Sequence, residues 1–208
     1  MTRHYTSLAT LVCVCLIVSN LFETKIFCIG GLTLTGGFLI FPITYIINDC
    51  LSEVYGYKRT RNVVLCAFCL NLITVLVAQL IMMLPEAPFW DGQEHFEYIF
   101  KADLRITAAS MAAFLTGSLL NARVMSGMKR IQGDKGFGWR AVVSTLAGEA
   151  SDSLIFFPIA FWGFGVKNML TMMITQIILK TAYEIVVLPL TSATVKRIKS
   201  DEAAALQK

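Results

Sequence analysis

WRAVVSTLAGEASDSLIFFPIAFWG, from Trp139 to Gly163, is the stretch on which the fold turns. It is long enough to cross the roughly 30 Å hydrocarbon layer of a bilayer as a helix. A chain in lipid must satisfy its own backbone N–H and C=O groups, which makes such a run helical. Two acids, Glu149 and Asp152, interrupt its apolar character. At 1.5 Å per residue they lie about 15–20 Å into the span, near the midplane, where an ionised carboxylate costs on the order of 2.5–3.5 kcal/mol. A spacing of three puts both on one helical face, together with Thr145 and Phe156. That face must look into a bundle or a wet cavity, so the span needs neighbours.

Apolar runs supply them. Counting this one, spans are expected at about 7–22, 33–55, 62–84, 105–121, 139–162 and 168–195. The fold class is therefore an all-α, polytopic membrane protein: a bundle of six transmembrane helices forming a single domain over residues 1–208. The 208 residues are 56% hydrophobic and 15% charged, with mean hydropathy +0.65. Soluble domains run nearer a quarter charged. The first run begins close to Met1 and lacks a small-residue cleavage site, so it reads as a retained span. No GxxxxGK[ST] phosphate loop occurs, and any use of ATP would need a partner chain.

Lysine and arginine sort by side, as the preference of such residues for cytoplasmic loops requires. Arg3, Lys58, Arg59, Arg61, Arg123, Lys129, Arg130, Lys135, Arg140, Lys196, Arg197, Lys199 and Lys208 fall on one side. Lys25, Lys101, Arg105 and Lys167 fall on the other, and Lys180 lies inside a span. Both termini are thus expected in the cytoplasm. The net charge of +4 comes mainly from these loops and implies no nucleic-acid partner. The acidic, aromatic segment from Pro85 to Leu104 suits a short interfacial helix, or a lid over an outward-facing site.

Cysteines 13, 15, 28, 50, 66 and 69 lie in or beside apolar segments and read as packing. Cys66 and Cys69 form a lone CxxC inside a span, with no second pair to complete a zinc site. The two histidines, His4 and His95, fall outside the spans. No metal or other cofactor is expected.

The remaining intramembrane charges are the candidate site. Asp49 and Glu53, at i and i+4, share a stripe with Tyr45 one turn earlier; Glu53 could instead reach water beside Lys58. Gln176, Lys180 and Glu184 lie on one face of the last span, where Lys180 and Glu184 could neutralise each other. Arg105 opens the fourth span and Asn121 closes it, with Ala109, Ala113 and Gly117 between as a packing stripe. Asn71 and Gln79 suit interhelical hydrogen bonds. Phe41-Pro42-Ile43-Thr44-Tyr45 and Phe157-Pro158-Ile159-Ala160-Phe161 are similar strings in the second and fifth spans, as two inverted three-helix halves would place them. Acids paired at these spacings could also hold Mg²⁺ in a membrane enzyme, although such enzymes need them at the aqueous surface.

Several of these residues fall in longer strings. FPITYIINDCLSEVYGYKRTR (Phe41 to Arg61), RITAASMAAFLTGSLLN with Arg105 and Ser110, the Trp139 to Gly163 stretch, and Lys180 with Pro189 resemble the queuosine precursor transporter family, six-span proteins related to vitamin uptake transporters. The resemblance covers most of the chain in order. It implies import of 7-deazaguanine bases (preQ0, preQ1 or queuine) across the inner membrane for tRNA modification, either alone or as the substrate-binding subunit of an ATP-driven complex. The chemistry of the residues agrees: a guanine-like ring offers adjacent N–H and NH₂ donors to a carboxylate and a flat face to an aromatic ring. Asp152, Asp49, Glu149 and Tyr45 would supply those groups, with Arg105 and Lys180 as partners of the acids and Glu184 and Glu53 nearby. Two positions depart from the family pattern: Asn121 where aspartate is common, and Glu149 where an uncharged amide is usual.

Overall fold

The computed structural model describes residues 3–22, 25–29, 32–100, 104–160 and 165–206. Its elements in order are α1 (Arg3–Phe22), a hairpin of β1 (Ile26–Ile29) and β2 (Leu32–Thr35), a 3-10 turn (Gly36–Leu39), α2 (Phe41–Tyr55), α3 (Tyr57–Met82), α4 (Gln93–Phe100), α5 (Leu104–Gln132), α6 (Phe137–Ala160) and α7 (Val166–Leu206). The architecture is an all-α bundle. The hairpin, with Ile26 opposite Thr35 and Ile29 opposite Leu32, occupies only the first connection.

Helix α2 is the hub, touching α1, α3, α5, α6 and α7. It is buried from Thr44 through Glu53, and the hydrophobic core forms where its Ile47 and Leu51 meet Val12 and Leu16 of α1 and Val63, Val64 and Ala67 of α3. Pro42 sits in its first turn, where a missing N–H costs nothing. One residue, Gly56, joins α2 to α3 with φ 79° and ψ 168°, a conformation open in practice only to glycine.

The helices α1, α3, α6, α7 and the Gly36–Tyr55 segment are long and apolar enough to cross a bilayer. Helix α3 turns Leu65, Ile73, Leu76, Val77, Leu80 and Ile81 outward, an apolar surface that a soluble protein would not expose. This is a multi-pass membrane protein. Helix α5 is more polar because its polar side chains serve the interior: Ser118 and Asn121 are buried and the helix packs extensively on α6. The stripe of Ala109 and Ala113 is buried as well.

Cys66 and Cys69 are free thiols on the exposed surface of α3 rather than in the core, which suits small, weakly polar side chains facing lipid. Asn71 accepts a hydrogen bond from Asn20 at 2.9 Å, and Gln79 donates to the last carbonyl of α4 at 3.2 Å, so both amides join separate helices. Helix α4 is the short aromatic helix expected after Pro85, with Tyr98 and Ile99 exposed. The similar proline strings occupy unlike positions: one opens α2, whereas Pro158 lies in the last turn of α6. They therefore give no support to a repeat.

Helix α7 extends well past the apolar segment ending near residue 195. At 41 residues it is about 60 Å long, twice a hydrocarbon layer. Its final turns reach the start of α1 and the end of α2: His4 Nε2 lies 3.1 Å from Asp201 Oδ2, and Tyr55 Oη donates to Glu202 at 2.6 Å. The start of α1, the end of α2 and the last turns of α7 thus meet at one end of the bundle.

Candidate functional site

Two polar clusters run through the interior, and both are anchored on α2. The inner one lies about halfway along the helices. Asp49 is fully buried; its Oδ1 accepts from Asn121 Nδ2 at 2.9 Å and from Ser144 Oγ at 3.1 Å, while Oδ2 has no partner within the protein. Asn48 donates to Asn121 Oδ1 at 2.6 Å and to the Ser118 carbonyl at 2.9 Å. Asn121 therefore serves both neighbours, accepting from one and donating to the other. An aspartate there would set a second carboxylate against Asp49, which is why the amide suits this chain.

Beside this network Lys180 reaches from α7 to α6. Its Nζ lies 2.8 Å from Glu149 Oε2, 3.7 Å from Asp152 Oδ2 and 4.5 Å from the centre of the Phe41 ring. The lysine neutralises the two acids of α6 across the bundle, rather than Glu184 on its own helix. Glu184 is 1% exposed and neither carboxylate oxygen has a hydrogen-bond partner. It stands within electrostatic reach of Asp49 and Glu149. Tyr45 is likewise buried, with an unpartnered hydroxyl near Asp152 and Glu149.

Room for Tyr45 comes from two glycines. A Cβ on Gly148 would stand 2.7 Å from Tyr45 Cε1, 2.9 Å from Asn121 Cβ and 3.0 Å from the Gly117 carbonyl. Gly148→Ala is accordingly expected to cost about 1–3 kcal/mol through overpacking. A Cβ on Gly127, also helical, meets nothing within 4 Å. Gly127→Ala should leave stability unchanged or slightly raised. Thermal unfolding of the two variants in detergent checks the contrast.

The structure therefore brings Tyr45, Asp49, Glu149, Asp152, Lys180 and Glu184 together among α2, α6 and α7. Glu53 is not among them, which corrects its expected place at the site and equally the expectation that it reaches water. It is fully buried, with Oε2 2.8 Å from Arg140 Nη2 and Oε1 2.7 Å from Lys199 Nζ. Lys129 adds a hydrogen bond to the Glu53 carbonyl. Each of its oxygens is thus paired with a cation. Lys199 also binds Asp134 at 2.7 Å, and its hydrogen bond and charge hold that exposed carboxyl below the usual carboxylate range. Arg105 opens α5, but its side chain lies outside the described residues.

Residues read only as loop charges, Arg140 and Lys199, belong to this second cluster. Asn121 and Ser144 belong to the first; Ser144 is four residues before Gly148 and eight before Asp152, a spacing that would have placed it on the same face. Among the described residues no three His, Cys, Asp or Glu side chains converge to hold a metal ion. What the inner cluster can do chemically is accept hydrogen bonds through buried carboxylates and balance positive charge.

Residues 35–194 match the family described as "Putative vitamin uptake transporter". The chain is 29% identical over 188 residues to a protein of Bacillus subtilis named "Probable queuosine precursor transporter", covering 89% of this chain and 82% of the relative. It is 27% identical to the "Queuosine precursor transporter" of Escherichia coli, over 64% of this chain and 57% of the relative. A "Probable queuosine precursor transporter" of Haemophilus influenzae is 26% identical over 62% of this chain and 52% of the relative. No solved structure matches. The matched segment runs from the end of β2 into α7 and contains every member of the inner cluster, and on that extent of agreement the chain belongs to the vitamin uptake transporter family, among relatives named queuosine precursor transporters.

Proposed function

We propose that this protein imports queuosine precursors, 7-deazaguanine bases, across the inner membrane through six spans with both termini in the cytoplasm. The observation that carries the reading is the inner cluster itself. Four carboxylates, Asp49, Glu149, Asp152 and Glu184, stand buried in it with one lysine, which pairs with Glu149 and Asp152, and oxygens of Asp49 and Glu184 have no hydrogen-bond partner. A guanine-like ring would supply the missing donors, with Tyr45 against its face. Buried groups that are left unpaired are costly, so a ligand able to pair them binds with selectivity.

An excess of acids over lysine favours a cation. The aminomethyl group of preQ1 and the secondary amine of queuine carry positive charge at neutral pH, whereas preQ0 has a neutral nitrile. The test is uptake of labelled preQ0, preQ1 and queuine by cells lacking their own synthesis and salvage, with and without this protein. Uptake of none of them would refute the reading. In the same assay Glu149→Gln is expected to lower the preference for the cationic bases over preQ0 by about tenfold, the scale of one lost charge-assisted interaction. An unchanged preference would reject the assignment to Glu149. Purified protein alone in vesicles should retain uptake if no ATPase partner is required.

A further inference from the structure

Where α2 passes into α3, a cavity of about 670 Å³ opens between these helices and α5. Lys58, Arg123, Lys129 and Arg130 line it, with Ser52 and Ser126 and no acid among the lining residues. Lys129 is partly committed, since it binds the Glu53 carbonyl and lies 3.7 Å from the Glu53 carboxylate. Among the described residues Lys58, Arg123 and Arg130 form no ion pair.

Basic loops are ordinary in membrane proteins, because they set orientation. A solvated basic fringe, however, needs neither a cavity nor serines with buried, unpartnered hydroxyls in its wall. Ser52 is fully buried and its Oγ has no partner within the protein; the Ser126 hydroxyl is also shielded and unpartnered. The cavity wall further includes Gly56 and Tyr57, the start of the 26-residue helix α3, which no side chain caps. The first N–H groups of a helix have no intrahelical acceptor and carry its positive dipole end. Guanidinium groups, hydroxyl donors and open helix N–H groups together are the set that recognises a phosphate.

We infer that this cavity binds a phosphate-bearing anion, supplied by a phospholipid headgroup or by a soluble phosphate. It is separate from the acid-lined inner cluster and does not depend on what that cluster carries. Arg123 and Arg130 close on the phosphate oxygens, Ser52 donates from the floor, and α3 presents its N-terminus.

The test uses the whole protein in nanodiscs of phosphatidylcholine. One arm titrates inorganic phosphate, and the other replaces part of the lipid with phosphatidylglycerol; unfolding temperature is read in both. The expected result is stabilisation in at least one arm, with the affinity of Arg123→Ala/Arg130→Ala down roughly tenfold or more. Ser52→Ala, which keeps every charge, should weaken it several-fold. Arg59→Ala/Arg61→Ala removes the same charge from outside the cavity and should change nothing. A response to phosphatidylglycerol alone identifies a headgroup, and a response to inorganic phosphate identifies a soluble ligand. No response in either arm, or an equal loss in the Arg59/Arg61 control, overturns the inference.

Discussion

Lys180→Met is expected to abolish uptake of queuosine precursors and to destabilise the protein by about 3–5 kcal/mol, the range for removing one partner of a buried ion pair. The lysine is the cation seen against Glu149 and Asp152, which lie one turn apart on α6. Methionine fills the stem volume and keeps an apolar contact with Phe41, so the change isolates the charge. Without it the two acids face each other across a low-dielectric interior, where like charges repel strongly. Adding Glu149→Gln to Lys180→Met should recover much of the stability, since of the two acids that Lys180 faces only Asp152 then remains. Fluorescence-detected unfolding alongside uptake separates the two effects. A Lys180→Met protein that is as stable as the native one would show that Lys180 is not the counter-charge of these acids.

That ion pair was half legible in the sequence. Glu149, Asp152 and Lys180 each stand out because a charge in an apolar run must be sheltered, and this argument is local. Which acid the lysine meets is not local. Spacing along α7 offers Glu184 and the resemblance offers the acids of the other spans, and only the packing of α6 on α7 decides for Glu149. The hub role of α2 was similarly foreshadowed by Asn48, Asp49 and Glu53 in one segment, since a helix so polar cannot face lipid.

Glu53 illustrates the opposite failure. Arg140 and Lys199 were read by the side of the membrane they choose, a rule that counts loop charges and is blind to their partners. The extension of α7 is hidden from such a rule for a related reason. Hydropathy measures where lipid can be, whereas Lys196 through Leu206 is charged and alanine-rich, good helix-forming sequence that continues α7 beyond the apolar segment. The paired strands are hidden for want of length: four residues each leave little alternation to detect.

Arg140→Leu tests whether this second cluster holds the bundle closed at that end. Arg140 is fully buried, bonds Glu53 at 2.8 Å and donates from Nη1 to the carbonyls of Gly133, at 3.1 Å, and of Lys135. One side chain thereby fastens the α5–α6 connection to the end of α2. Leucine would leave Glu53 with Lys199 and Lys129, whose side chains are 33% and 29% exposed and so compensate weakly. The expected loss is about 3 kcal/mol, which for a chain of this length lowers the unfolding temperature by roughly 6–12 °C. Arg140→Lys should fall between, because an ammonium restores the charge but not the planar fork that spans carboxylate and carbonyls. Lys199→Ala should cost under about 1 kcal/mol and lose even that in high salt, whereas the Arg140 effect persists since the pair is shielded from ions. Equal losses for Arg140→Leu and Lys199→Ala would mean that Glu53 is held by screened surface charge, and that the guanidinium is not the clasp.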